Sequence, residues 1–376
     1  MRPDPHQLLD QKSAEVDRAL EAFLRSDPRP VENLHDATLY ALGLDQQDPA
    51  IRGKRIRPAL CLITCEALDG DTQKALPFAM AIELMHNFFL VHDDIEDGDQ
   101  FRRGRPSVWK RYGLAHAVNI GDFLFTKAFA ALLSRPAATN GAETDGAGTD
   151  GAGTDGDGTD GDETDGVTNS APSGVEDLPL QFALCRLLVE TLECTHVGQA
   201  QDINALRSRD ITIEQYLEIV TNKTGYYLAA PMLGGAMVAG ATPRTLEAIR
   251  NLGKCVGPVF QIVDDTIDLT HGKGRETVGS DVREGKRSYL VAWAASKASA
   301  AERDEMFRIL DLPREETTPE HVAWVRALFD RVGAIEAGRA HCRKLMDQAH
   351  AAMSDAPARL RDTLLALFEA LLERKK

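Results

Sequence analysis

Several features are missing from this 376-residue chain, and each absence narrows what it can do. No stretch is strongly basic and the net charge is −15. Sequence-independent binding to nucleic acid is therefore not expected. The six cysteines, Cys61, Cys65, Cys185, Cys194, Cys255 and Cys342, form no CxxC pair. Reduced thiols in a cytoplasmic protein are the simplest reading. The opening stretch MRPDPHQLLDQKSAEVDRAL has no apolar core, so no secretory signal is read there. No apolar run approaches the ~18–20 residues of a membrane span. Strand signals and two-residue hairpin turns are scarce.

One segment also lacks large apolar residues. TNGAETDGAGTDGAGTDGDGTDGDETDG, at 139–166, repeats Gly, Thr, Asp and Ala in a five-residue rhythm. From Gly141 to Gly166 it holds nine acidic residues and no Lys or Arg. Such a segment cannot bury enough surface to offset its ordering entropy. The expectation is one domain over 1–376, with a disordered acidic insertion at 137–175 between two helices.

What is present is helical. AEVDRALEAFLR, PALCLITCEAL, KALPFAMAIELMHNFFLVHDD, LQFALCRLLVETLECTHVGQAQDI and DTLLALFEALLERK carry apolar residues at three- and four-residue spacing. Residues 76–92 and 228–239 are apolar nearly all round, which predicts central helices in a large bundle. With 43% hydrophobic residues the chain can bury a sizeable core. The fold class expected is all-α.

Two acidic clusters interrupt that pattern. LVHDDIEDGD (90–99) brings together Asp93, Asp94, Glu96 and Asp97, and FQIVDDTIDL (260–269) brings together Asp264, Asp265 and Asp268. Asp93 and Asp97 are four apart, as are Asp264 and Asp268, so each pair shares a helix face. Carboxylates crowded at a core edge repel one another and lose solvation. A divalent cation would neutralise them. Two facing sets of hard oxygens suit Mg²⁺, which takes one or two carboxylates together with waters and phosphate oxygens.

Basic residues lie where phosphate would be held. GKRIRP (53–58) supplies Lys54, Arg55 and Arg57; RRGRP (102–106) supplies Arg102 and Arg103; NKTG (222–225) and EGKRS (284–288) add Lys223, Lys286 and Arg287. Arg pairs and helix N-termini bind diphosphate. Acids for Mg²⁺ and bases for phosphate together imply substrates that carry diphosphates.

On these residues the chain resembles the trans-isoprenyl diphosphate synthases of the polyprenyl synthetase family. GKRIRP, the His of ELMH, DDIED, RRGRP, GQAQD, the KT of NKTG, FQIVDD with ID, and GSDVREGKRS occur in the family's order over roughly 50–290. The resemblance implies a helical bundle of the isoprenoid synthase type around a central cavity, three Mg²⁺ ions and a homodimer. It implies that Lys54, Arg57, His86 and Arg103 bind isopentenyl diphosphate. It gives Arg102, Lys223, Thr224, Gln261 and Lys286 to the allylic diphosphate. It makes Asp93, Asp97, Asp264 and Asp268 metal ligands, with Asp94 and Asp265 in support. His86 is also compatible with an ordinary core position. Many members have Lys four residues before the Asp of GSD, where this chain has Thr277; Lys273 and Arg275 are near enough to substitute.

The expected reaction is ionisation of an allylic diphosphate (dimethylallyl, geranyl or farnesyl) followed by head-to-tail addition of isopentenyl diphosphate. Asp93, Asp97, Asp264, Arg102 and Lys223 are the residues expected to act on the leaving group. Phe88 and Phe89, five and four residues before Asp93, are expected at the floor of the chain pocket. In the resembling family an adjacent aromatic pair accompanies C15 products and the more distant aromatic alone accompanies C20. Farnesyl diphosphate is thus favoured, with geranylgeranyl diphosphate next. A class I terpene cyclase would share DDxxD and Mg²⁺, but would not need GKRIRP. A regulatory subunit of a heteromeric synthase should have lost site residues that are intact here.

Overall fold

The computed structural model describes residues 4–28, 30–46, 48–134, 178–270 and 279–372. The acidic insertion and the 273–277 substitution lie outside the described residues. In chain order the first helices are α1 (Pro5–Arg25), α2 (His35–Leu42), α3 (Pro49–Arg52), α4 (Ile56–Ala67) and α5 (Thr72–Glu96). A two-strand ribbon, β1 (Phe101–Arg102) and β2 (Arg105–Pro106), leads to α6 (Val108–Tyr112), α7 (Leu114–Leu133) and α8 (Leu178–Ala205). Then come α9 (Ile213–Val220), a π-helical turn (Thr221–Gly225), α10 (Tyr226–Val238) and α11 (Pro243–Thr270). The rest comprises α12 (Ser280–Arg283), α13 (Tyr289–Lys297), α14 (Ala300–Leu310), a 3₁₀ turn (Arg314–Glu316), α15 (Pro319–Arg331), α16 (Ala334–Ala352) and α17 (Ala358–Leu372).

The all-α expectation holds, and the helices that are apolar all round are the central ones. Helix α5 is long and apolar enough to cross a membrane by length and composition, but most of that stretch is buried inside the protein. Phe78, Ile82, Leu84 and Met85 are fully buried on its different sides, against α4, α7 and α10. A helix wrapped by neighbours has no polar face to keep, so its sequence shows little amphipathic period. Two glycines let α10 approach its neighbours. A Cβ at Gly235 would lie 2.1 Å from the carbonyl oxygen of Cys61 on α4, and one at Gly234 would lie 2.1 Å from the Phe78 ring on α5.

Both acidic clusters fall where the sequence places them, at the C-terminal ends of long helices. Asp97 caps α5, its N–H bonded to the Asp93 carbonyl at 2.8 Å. Asp264, Asp265 and Asp268 occupy the last two turns of α11.

Candidate active site

The basic loop before α4 is built from the inside outward. Arg55 adopts a left-handed backbone (φ 44°) and is almost fully buried. Its guanidinium donates to Asp17 of α1 (2.8 Å), Glu83 of α5 (2.6 Å) and the carbonyl of Leu42 (2.5 Å). Arg55 is therefore a tie between three helices, and its neighbours Lys54 and Arg57 line the adjacent crevice. Arg103 sits at the turn of the β1–β2 ribbon and donates to the Ile51 and Arg52 carbonyls, both at 3.1 Å. Position 53 has a left-handed backbone (φ 78°) that favours glycine, and a Cβ there would come within 2.7 Å of that guanidinium.

The four residues expected to hold isopentenyl diphosphate are brought together. Lys54, Arg57, His86 and Arg103 line one crevice of about 1210 Å³, closed on another side by Phe260 of α11. Arg57 Nη1 lies 3.3 Å from His86 Nε2, and Arg57 Nε is buried with no hydrogen-bond partner among the described residues. Burial lowers the pKa of Arg57, and burial with Arg55 and Arg102, opposed by Glu83 and Asp94, lowers Arg103 to about 10. Burial and then Arg57 and Arg103 hold His86 well below the ordinary histidine value, so its ring is neutral. A buried guanidinium nitrogen without an acceptor, among like charges, is the environment that an entering dianion would relieve.

The six aspartates divide into two kinds. Asp94 is buried and accepts Arg102 Nε at 2.7 Å. Asp265 is buried and accepts the Tyr216 hydroxyl (2.8 Å) and Gln261 Nε2 (2.9 Å). Asp268 is fully buried and accepts Ser280 Oγ (2.6 Å) and the Asp281 N–H (3.0 Å). These three are committed to the protein's own framework, and Arg102 and Gln261 are occupied with them. Asp93 and Asp97 are half-buried at the end of α5, which forms the rim, and Asp264 is half-buried near the end of α11. Burial, reinforced by Asp97 and Glu96 and opposed by Lys223 and Arg102, pushes the Asp93 carboxyl up to about 6.

Two lysines reach across to this rim. Lys286 Nζ lies 3.7 Å from Asp97 and 3.6 Å from Asp281, whose N–H bonds Asp268, so it spans the ends of α5 and α11. Lys223 Nζ pairs with Asp202 at 2.7 Å. Burial opposes its charge, yet Asp202 and Asp93 outweigh that and hold its pKa above the ordinary value. Lys223 and the buried Thr224 sit in the π-helical turn, a local widening of the helix common at functional sites. Helix α8 presses against this turn through Gly198, where a Cβ would meet the Lys223 nitrogen at 2.3 Å.

No group of three or more His, Cys, Asp or Glu side chains stands ready to hold a metal by itself among the described residues. Asp93 and Asp97 present hard carboxylate oxygens, with Lys223 and Lys286 close to them. That fits an ion such as Mg²⁺ whose remaining ligands come from phosphate and water.

Phe88 and Phe89 diverge. Phe88 is buried toward α7, its ring 5.4 Å from Phe125 and 4.7 Å from His92. Phe89 is half-buried and meets Tyr227 edge-on at 5.6 Å. Tyr227 carries no signal in the sequence. Its ring lies 5.3 Å beneath the Arg57 guanidinium and its hydroxyl donates to the Ile82 carbonyl at 2.8 Å. It joins the Arg57 crevice to Phe89. Gln199 and Asp202, inside GQAQD, were likewise unassigned; Gln199 Nε2 reaches Glu96 at 2.6 Å and Asp93 at 3.3 Å.

A helical bundle with two carboxylate-bearing helix ends and a basic crevice defines a class, the isoprenoid synthases. The polyprenyl synthetase family model matches residues 47–149 and 163–328. The chain belongs to the polyprenyl synthetase family and is a prenyltransferase. It is 32% identical over 329 residues to a short chain isoprenyl diphosphate synthase of Methanothermobacter thermautotrophicus, covering 86% of this chain and 87% of that protein. It is 30% identical to a (2E,6E)-farnesyl diphosphate synthase of Mycobacterium bovis, covering 81% and 76%. The crystal structure of a geranylgeranyl pyrophosphate synthetase from Pyrococcus horikoshii superposes with a TM-score of 0.76 at 26% identity, covering 98% and 99%.

Proposed function

We propose that this short-chain trans-prenyltransferase condenses isopentenyl diphosphate with dimethylallyl, geranyl or farnesyl diphosphate, in the presence of Mg²⁺, to give farnesyl or geranylgeranyl diphosphate. The observation that carries the reading is the pairing of one rim with one crevice. Asp93 and Asp97 edge the rim with Lys223 and Lys286, Asp264 stands half-buried near the end of α11, and Arg57 offers an unmatched N–H in the crevice. Mg²⁺, three ions in the resembling family, would supply charge neutralisation on the leaving diphosphate as the allylic C–O bond breaks.

The side chains divide the remaining work. Asp93, Asp97 and Asp264 hold the metal side, and Asp94, Asp265 and Asp268 support them through Arg102, Tyr216 and the 279–281 turn. Lys223, Lys286, Arg102, Thr224 and Gln261 hold the allylic diphosphate, which requires Arg102 and Gln261 to exchange their present aspartate partners. Lys54, Arg57, His86 and Arg103 hold isopentenyl diphosphate so that its double bond faces the forming cation. The aromatic floor around Phe89 and Tyr227 excludes water that would quench the cation. The final proton passes to the released diphosphate.

A cytoplasmic homodimer completes the proposal. Helices α7 and α8 expose Leu114, Val118, Phe182, Val189 and Val197, with Phe182 73% exposed. Neighbouring exposed apolar side chains on two long helices suit coverage by a second copy. Sedimentation of the full chain as a dimer supports this, and a monomer at micromolar concentration contradicts it.

The direct test is incubation with Mg²⁺, labelled isopentenyl diphosphate and each allylic primer. Longer labelled diphosphates support the reading. Hydrocarbons formed without isopentenyl incorporation indicate a cyclase, and no turnover indicates a regulatory subunit.

A further inference from the structure

Arg314 lies outside every motif of the site, in the 3₁₀ turn after α14, yet its guanidinium reaches the rim. Nη1 donates to the Asp97 carbonyl at 2.9 Å and to Asp99 Oδ1 at 2.8 Å. Nη2 lies 3.9 Å from Glu284 Oε1. The Asp97 carbonyl is one of the last carbonyls of α5, which have no acceptor role left inside the helix and carry the negative end of its dipole. A guanidinium there caps α5 at the residue that presents the metal-side carboxylate.

The contacts close a circuit. Asp97 meets Lys286 at 3.7 Å, Lys286 meets Glu284 at 2.6 Å, Glu284 meets Arg314, and Arg314 returns to Asp97. A second staple holds the turn in place, since Arg283 of α12 donates to the Thr317 carbonyl. Exposed ion pairs contribute little, but here Asp99 and Glu284 are 3% and 5% exposed and the Arg314 side chain is itself two-thirds covered. Loss of Arg314 would release the end of α5 and leave Glu284 a stronger hold on Lys286.

We propose that Arg314 is a positioning residue that sets the spacing between the Asp97 rim and Lys286 before metal and diphosphate arrive. This deepens the prenyltransferase reading and rests on it for the identity of the rim. The test uses Mg²⁺ with inorganic pyrophosphate as the probe, read by thermal shift on the full chain. Wild type, R314A, R314K, D99N and the D99N/R314A pair are compared. R314A should need about 10-fold more Mg²⁺ for half-maximal stabilisation, the usual scale for residues supporting metal ligands. R314K, a point charge without the fork, should fall between. D99N should shift in the same direction, and the pair should shift less than the sum of the two, as expected for partners. In turnover, R314A should raise KM for the allylic diphosphate and leave KM for isopentenyl diphosphate within about twofold.

Identical Mg²⁺ titrations for wild type and R314A overturn the proposal. So does a shift that merely tracks a fall in ligand-free melting temperature. If R314A fails to fold, R314K and D99N carry the same comparison, and wild-type titrations for both overturn it. Isopentenyl incorporation by wild type is measured separately, so failure of the elongation reading is visible as binding without elongation.

Discussion

Replacing Phe89 by Ala tests whether the aromatic floor sets product length. Phe89 shares a helix face with Asp93, one turn deeper at about 5.4 Å along the axis. A chain growing from the rim therefore meets this ring within the first turn. Its ring meets Phe88, His196 and the edge of Tyr227, and it is half-buried rather than enclosed. Truncating a fully packed Phe costs about 3–5 kcal/mol. A ring that already borders open space leaves less new cavity, so about 1–3 kcal/mol is expected. That lowers the melting temperature by about 2–6 °C and leaves the protein folded. The longest product should gain at least one isoprene unit. Phe88, packed against Phe125 and His92, should give a larger stability loss for a smaller length change. Products are dephosphorylated and separated by chromatography for wild type and variant. A folded, active Phe89→Ala whose longest product matches wild type would refute the floor assignment.

Two further expectations follow from other parts of the chain. His86 is held well below the ordinary histidine value, so the unfolded chain takes up a proton below about pH 6.5 that the folded site refuses. Its contribution favours folding above that pH and is lost as pH falls through it. The difference in ligand-free melting temperature between about pH 7.5 and 5.5 should narrow in His86→Gln; an unchanged difference counts against a neutral buried His86. Replacing residues 139–171 with a short Gly/Ser linker should leave melting temperature and turnover nearly unchanged, because loop closure changes by only about 0.6 kcal/mol per doubling of length. A large loss of stability there would show that the acidic segment packs or binds an ion.

The sequence conveyed the helical class, the central position of 76–92 and the carboxylates at the ends of α5 and α11. Each of these depends on local period or on helix length. The family resemblance set Asp94 and Asp265 apart as supporting residues but kept Asp268 with Asp93, Asp97 and Asp264 as a metal ligand, because the burial of Asp268 depends on which partners a side chain meets across the bundle. Tyr216 and Ser280, which engage Asp265 and Asp268, are 49 and 12 residues from them. Arg55 read as one more phosphate-binding base and proved to be buried in a tie with Asp17 and Glu83. RRGRP read as a supply of phosphate-binding arginines and proved to be a two-strand ribbon with Arg103 at positive φ. Nothing local marks the π-helical turn at Lys223, which α8 and α11 approach closely at Gly198 and Gly257. Arg314 is 217 residues from Asp97 and carries no motif at all.

The central claim is that carboxylates from two separate helix ends act together on one diphosphate. It is tested most directly by the turnover of Asp93→Ala and Asp264→Ala, each measured with saturating Mg²⁺ and both substrates. Each should lower kcat by about 100- to 1,000-fold or more, as loss of a group that stabilises developing charge does. Helical content and melting temperature should stay near wild type, since both side chains sit at the rim and not in the core. Near-normal turnover in either folded variant would contradict the account.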